Sequence, residues 1–513
     1  MNSSRREFLA RTTVGAALVA GGSFAAGPAS ALMKPLVGIR TTRITALTNA
    51  TVINVENGRR DRGQTVLISG DRITGVGPDL PVPSGATAID LTGKFLIPGL
   101  ADMHVHSLGD ERVSPPLYLA NGLTTVREMA GNPTAYDWRD RIETGSLLGP
   151  RMVVASKIID GDPPLWDPNV LSVHVVKDEA SARAAVRQVK ADGADFVKVY
   201  SRLSPTAYRA IIDEARRQRL TVAGHVPDQL TIPAVSAAGQ RSIEHIHAIG
   251  LSASSSEMEV RRRLQAISVQ TGDYNSWFRQ YHPIEWLAAN TFSESRAAEV
   301  FGRLKQNNTR VTATLSMHHV LDMPDLVGPD QSTQKYLSED SISMYEYMVE
   351  NYYKANRSAE EISHQPQMWE YRQRFVRELF HAGVPILAGT DTSTPYSVPG
   401  FALHDELEVL VNAGATPLQA LRAATLEPAR FLGLAAELGT IAPAKLADLV
   451  VLEGDPLTDI RNSRRIHSVI TRGRVISPAD RQRMLADVEA AVKLPPSPAT
   501  LAAGGCCGSR RPV

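Results

Sequence analysis

Two histidines one residue apart, His104 and His106, close the apolar run FLIPGLADMHVH (95–106). Side chains alternate faces along a strand, so both imidazoles project from the same side of that strand's end. Two neutral imidazoles held side by side make half of a first-row metal site, and zinc is the usual occupant. Further along, Lys198 sits among apolar neighbours in DFVKVYS (195–201). A lysine buried there has a lowered pKa, and its neutral amine can react with carbon dioxide to give a carbamate; the alternative is a lysine whose head reaches solvent at the strand end. His225 in TVAGHV (221–226) and His245 in RSIEHIH (241–247) lie twenty residues apart, the length of one strand–helix repeat. His247 shares a face with His245 and competes with it as a ligand. A core histidine with its hydrogen bonds satisfied is the other reading of each. Asp391 ends VPILAGTD (384–391), where its plain reading is the N-cap of a following helix.

The elements that must position these groups alternate in type. LTTVREM, RMVVAS, DFVKVYS, TVAGHV, RSIEHIH, RVTATLS and VPILAGTD are apolar runs of strand length. Helical patterns such as 178–193 and 204–220 separate many of them, the second opening on an N-cap serine and a proline, Ser204-Pro205. About eight such repeats predict a parallel TIM (β/α)8 barrel spanning 98–436, with the chemistry at the C-terminal ends of its strands. No glycine-rich nucleotide loop follows any of these strands to favour an open doubly wound sheet. Short strands bounded by Gly, Asn or Asp fill 44–97 and return at 446–476. They predict a small β-sandwich built from both ends of the mature chain, 32–97 and 437–478, followed by a helix and a disordered tail over 479–513. Segments 251–308 and 321–373 read as helical insertions rich in aromatics, the usual form of lids or binding loops.

The 513 residues suffice for one large domain and a smaller one; 43% hydrophobic and 21% charged residues describe an ordinary globular protein. A net charge of +1 gives no reason to expect nucleic acid or an anionic membrane as partner. Residues 1–31 resemble a twin-arginine signal: Arg5-Arg6 precedes a mildly apolar Ala/Gly-rich run and a small-x-small cleavage site, Ala29-Ser30-Ala31. That run is too short and glycine-rich to span a bilayer, and no other stretch is long enough. The expectation is a protein exported folded by the twin-arginine machinery, soluble in the periplasm or outside the cell. The two cysteines, Cys506 and Cys507, adjoin in the tail and cannot staple a core. Oligomeric state is not written in these residues, and a homo-oligomer stays open.

The apolar strand, Pro-Gly turn, aspartate and HxH resemble the opening of the metal-dependent amidohydrolase superfamily. The likeness extends to the helix and loop at 401–434 and the closing 439–456. Within it the chain looks most like exported prolidase-like and imidazolonepropionase-like amidohydrolases. The resemblance implies a binuclear site: His104, His106 and Asp391 on one divalent ion, His225 and His245 on the other, and carboxylated Lys198 bridging them. It also implies that Asp391 is the general base and that the reaction opens an amide bond. Substrates implied are dipeptides of Xaa-Pro type, N-acyl amino acids, or amide-linked xenobiotics and mycotoxins. Cyclic amides, lactones or phosphoesters are the alternative within the fold, and an inactive metal-binding assembly protein is the alternative outside catalysis. One departure concerns specificity: the fifth strand reads GHVPDQ where many peptidase relatives have a His-Ala-His type sequence.

Substrate contacts follow less directly. Tyr200, two residues past Lys198 on the same face, could donate to a developing oxyanion or simply pack. His318 and His319 in TATLSMHH are expected at the end of the seventh strand, with one facing the cavity. Tyr274, Trp277, Phe278, Tyr281 and Trp286 are expected to roof the leaving-group pocket, with Arg279 placed to meet a free carboxylate. His404 is expected to be structural.

Overall fold

A computed structural model describes residues 44–495. The expected signal segment, its cleavage site and the Cys506-Cys507 tail lie outside the described residues.

Eight parallel strands form the centre: β1 (Leu100–Val105), β2 (Leu123–Glu128), β3 (Arg151–Asp160), β4 (Phe196–Val199), β5 (Thr221–Gly224), β6 (Gln240–Glu244), β7 (Arg310–Thr312) and β8 (Ile386–Leu387), hydrogen-bonded in that order. Closure comes from the segment after β8, where Asp391 N donates to His104 O and His106 N donates to Thr392 O. This is the TIM barrel expected from the strand–helix alternation. The period-2 rule is visible on β4: Phe196 joins the apolar barrel interior with Met103, Val153, Ala223 and Leu387, while Val197 and Val199 join the layer beneath the outer helices. Lys198 follows Phe196 by two and is therefore carried inward, one layer nearer the mouth. It is 1% exposed.

The outer helices start where their sequences say. Ser204 caps Pro205–Gln218 by accepting from Ala207 N, and Asp178 closes a capping box with Ser181 on Glu179–Ala191.

Both ends of the described chain meet in one sheet of eight strands. Phe95–Pro98 pairs antiparallel with Leu449–Leu452 and parallel with Ile44–Ile53, so strands from both ends of the described chain join in one hydrogen-bonded set. Leu47, Val66, Ile73, Leu96, Val451 and Ile470 form its own small core. Phe95–Pro98 leads through Gly99 directly into β1, which delivers His104 to the mouth. His404, on the helix Phe401–Asn412, hydrogen-bonds Asn121 O and Ser463 Oγ, tying barrel to the C-terminal segment.

Over the C-terminal mouth lie the helices Glu257–Ala266 and Tyr274–Asn290, with Glu339–Met348 and the turns around it. The flanking helices Glu294–Gln306 and Ala359–His381 lead into β7 and β8 and pack in the outer layer. Among the described residues no helix is long and apolar enough to cross a membrane.

Candidate active site

His104 and His106 converge on Asp391 from the end of β1. Each Nε2 lies 3.2 Å from the same Asp391 Oδ1, so the same-face geometry read from the HxH spacing is realised. Asp391 itself stands four residues beyond β8 in the left-handed region, at φ 54°. Its backbone N–H is bonded to His104 O, which locks this strained residue against β1. These three residues form a group able to hold a metal ion.

The other expected ligands line up beside them. His245 follows β6 directly, and its ring centre lies 4.8 Å from that of His104 and 4.9 Å from that of His225. His225 follows β5 after Gly224, whose φ of 136° no L side chain adopts readily; a Cβ there would stand 2.2 Å from Val199 O. Lys198 on β4 is close enough that its charge acts on His225, His245 and Glu244. Six positions chosen from sequence are thus gathered at one end of the barrel.

The partners of each imidazole test whether the set suits a cation. His104 Nδ1 is 2.9 Å from Glu244 Oε2, His225 Nδ1 is 3.0 Å from Ser201 Oγ, and His245 Nδ1 is 2.7 Å from Thr314 Oγ1. With Nδ1 engaged outward, Nε2 of each ring is left for the cavity, the arrangement that orients metal-ligating histidines. Burial pushes His225 and His245 well below the ordinary histidine range, which keeps both neutral with a lone pair to give. Burial alone would raise the Asp391 carboxyl, but the charge and hydrogen bond of His104 and the bond from His106 hold it well below the usual carboxylate range. Imidazole nitrogens and a carboxylate fit a divalent cation.

Glu244 was not singled out by the sequence. It is fully buried, takes both carboxylate oxygens to Arg127 Nη2 at 2.8 Å, and accepts from Ser242 Oγ at 2.6 Å. Arg127, also buried, donates its Nε to Met103 O on β1. The pair therefore fixes the His104 ring from inside the barrel. Burial raises Glu244, but Arg127 and His104 outweigh it and hold the carboxyl well below its ordinary range. Asp102 supports the same strand end: it accepts from His104 N, Thr390 N and Thr390 Oγ1, and burial pushes it up to about 7.

Several expected contacts are placed differently. Strand β7 stops at Thr312 because Thr314 takes a left-handed turn, φ 45°, and a helix, Leu315–Asp322, begins at once. His318 and His319 consequently lie on that helix and do not end the strand. His318 is buried against His247, ring centres 4.4 Å apart, and accepts from Ile246 N. His319 turns away to Trp369, 4.9 Å between ring centres. Tyr200 stacks on His225 at 3.9 Å, and its hydroxyl accepts from Trp166 Nε1 at 2.9 Å. That leaves the phenolic proton free to be donated.

The aromatic roof is present in part. Trp277, Phe278 and Tyr281 are buried in a cluster that includes Tyr200, Leu165 and Met317, so the helix Tyr274–Asn290 packs onto the mouth through its aromatic face. Trp286 instead stacks on His364, 4.0 Å away. Arg279 is exposed and reaches Asn356, on the opposite face of the helix from Trp277 and Tyr281, so it does not meet the site. His247 Nδ1 is 2.6 Å from Glu285 Oε1. Glu285 is held by Arg372, which also bonds Asp322. This buried cluster joins the helix over the mouth to the barrel.

Residues 341–476 match the Amidohydrolase family. Ochratoxinase of Aspergillus niger is 23% identical over 469 residues, covering 79% of this chain and 80% of the relative. Its crystal structure superposes with a TM-score of 0.61 at 20% identity, over 85% of this chain and 96% of that one. A Xaa-Pro dipeptidase with bound methionine in its active site gives 0.61 at 20% identity over 85% and 100%. Bottromycin amidohydrolase gives 0.65 at 19% identity over 94% and 95%. Residues 341–476 thus carry an Amidohydrolase-family match, and the chain as a whole is similar in fold to hydrolases of that kind.

Proposed function

We propose that this chain cleaves an amide bond in a dipeptide of Xaa-Pro type, an N-acyl amino acid or an amide-linked xenobiotic such as a mycotoxin, using two divalent cations. The observation that carries the reading is the convergence of His104 Nε2 and His106 Nε2 on one oxygen of Asp391, with His225, His245 and Lys198 beside them. His104, His106 and Asp391 would hold one cation, His225 and His245 the second, and Lys198, as its carbamate, both. Zinc suits this mixture of imidazole and carboxylate. When bound, such a pair of cations lowers the pKa of water and polarises the scissile carbonyl.

The chain's own residues supply the remaining steps. Asp391, kept ionised by its histidines, accepts the proton of the attacking water. It then returns that proton to the amine nitrogen as the carbon–nitrogen bond breaks, leaving a carboxylic acid and a free amine. Tyr200 donates its hydroxyl proton in a hydrogen bond to the carbonyl oxygen as negative charge builds there. The aromatic face of Tyr274–Asn290 covers the mouth, excludes water and favours a bulky apolar group on the substrate. With Arg279 turned outward, apolar contact carries more of this selectivity than a salt bridge from that helix.

The deciding experiment is a panel of zinc-loaded protein against dipeptides and N-acyl amino acids bearing phenylalanine, proline or glycine, with and without chelator. Cleavage favouring phenylalanine or proline, abolished by chelation and restored by zinc, is expected. Absence of amide cleavage alongside turnover of a lactone or phosphotriester would overturn the amide assignment.

A further inference from the structure

A cavity of about 660 Å³ opens at the end of the barrel opposite the metal ligands, beneath the N-terminal ends of β7 and β8. Its volume is that of a small-molecule site, and its lining has two characters. Phe380, Val384 and Ile386 present apolar surface, while Arg310, Arg422 and Arg430 bring three guanidinium groups. Glu427 is the acidic residue of the lining; it bonds Arg430 at 2.7 Å and lies 3.7 Å from Arg422, so the lining carries a surplus of two positive charges.

Arg310 is the informative member. It is 6% exposed, its Nη1 donates to Asn308 O and Oδ1, and its guanidinium lies over the Phe431 ring. Among the described residues its buried Nε has no hydrogen-bond partner. Arg422 and Arg430 are partly exposed at the rim and can turn toward an incoming anion. Arginine forks bind carboxylates through paired N–H groups, and the apolar wall suits a hydrocarbon body attached to that carboxylate.

We propose that this cavity is a second binding site, separate from the metal centre, that takes a small organic carboxylate with an apolar body. The carboxylate lies among Arg310, Arg422 and Arg430, displacing the bond between Glu427 and Arg430, and the apolar portion packs on Phe380 and Val384. The site sits on strands whose far ends carry Thr314 and Asp391, so an occupant rests on the same elements that hold the ligands.

The probe is phenylacetate, followed by calorimetry or ligand-observed NMR on full-length protein stripped of metal, so that neither bound cations nor turnover contributes. Wild type and Asp391→Asn should bind phenylacetate alike. Arg422→Gln/Arg430→Gln should bind at least tenfold more weakly, as should the neutral probe phenylacetamide on wild type. Arg310→Gln should also lose binding; if it fails to fold, as judged by circular dichroism, the rim double variant decides. Equal binding of phenylacetate and phenylacetamide, unchanged binding by the rim double variant, or inorganic phosphate competing as strongly as phenylacetate would overturn the proposal. Loss of binding in Asp391→Asn alone would place the probe at the metal centre and overturn it too. None of these readouts depends on whether the protein hydrolyses amides.

Discussion

His104 on β1 and Glu244 on β6 meet inside the barrel, Nδ1 to Oε2 at 2.9 Å, both side chains no more than 1% exposed. The contact spans 140 residues of sequence and fixes which nitrogen of His104 faces Asp391. A carboxylate in this position also increases the donor strength of the imidazole toward a cation.

Glu244→Gln should therefore weaken zinc binding by about 10–100-fold, the range found when such supporting partners are removed. Arg127 would at the same time lose its anionic partner in a buried setting, so a fall in melting temperature should accompany it. Competition against a chelator of known affinity measures the first effect. Zinc affinity equal to wild type would show that Glu244 acts on stability alone.

Asp391→Asn should cost roughly 10²–10⁴-fold in kcat, since proton transfer by a placed side chain contributes that much. Lys198→Ala should lower metal content together with rate, and short carboxylates such as acetate should restore part of both if a carbamate normally stands there. Metal analysis beside steady-state kinetics separates the two variants. Near-normal kcat in Asp391→Asn would assign the base elsewhere.

Arg372 lies between Glu285 and Asp322 with all three side chains no more than 2% exposed. Arg372→Met should destabilise the protein by about 3–5 kcal/mol, because two buried carboxylates lose their countercharge. Glu285→Gln/Asp322→Asn in the same background should recover much of that loss. Denaturant midpoints of the three proteins provide the check, and a Met variant as stable as wild type would contradict the ionic role.

Burial, reinforced by nearby Arg464, lowers His404 from the ordinary 6.5 to about 3. The folded state thus resists a proton that the unfolded chain accepts below 6.5. Stability from this site is fully present above pH 6.5 and is lost progressively as pH falls toward 3, at up to roughly 1.4 kcal/mol per unit of pH. His404→Gln should lower stability at pH 7 but flatten the decline between pH 6.5 and pH 4. Parallel slopes for the two proteins would rule His404 out as a source of acid sensitivity.

Export through the twin-arginine route requires the Arg5-Arg6 pair. On the proposal that this chain is exported by that route, Arg5→Lys/Arg6→Lys should leave full-length protein in the cytoplasm of a host with that machinery, and wild type should be processed and exported. Cell fractionation with blotting reads the outcome, and unchanged export would remove the signal assignment.

The sequence by itself determined the barrel and where the candidate ligands sit in it, because both depend on local rules. Strand period places His104 and His106 on one side of β1 and carries Lys198 inward behind Phe196. The repeat length sets His225 and His245 one unit apart, each just past its strand. Only the tertiary structure decided what surrounds them. Arg127 finds Glu244 across 117 residues and Arg372 finds Glu285 across 87, pairings that leave no trace in spacing. Thr314's left-handed turn ended β7 early and moved His318 and His319 onto a helix, against the strand read from TATLS. Arg279 shared a segment with Trp277 and Tyr281, yet a helix distributes neighbours around its axis, so the aromatics turned to the barrel and the arginine to solvent. Periodicity fixes which face a residue occupies; which face meets the core is settled by what the rest of the chain packs against it.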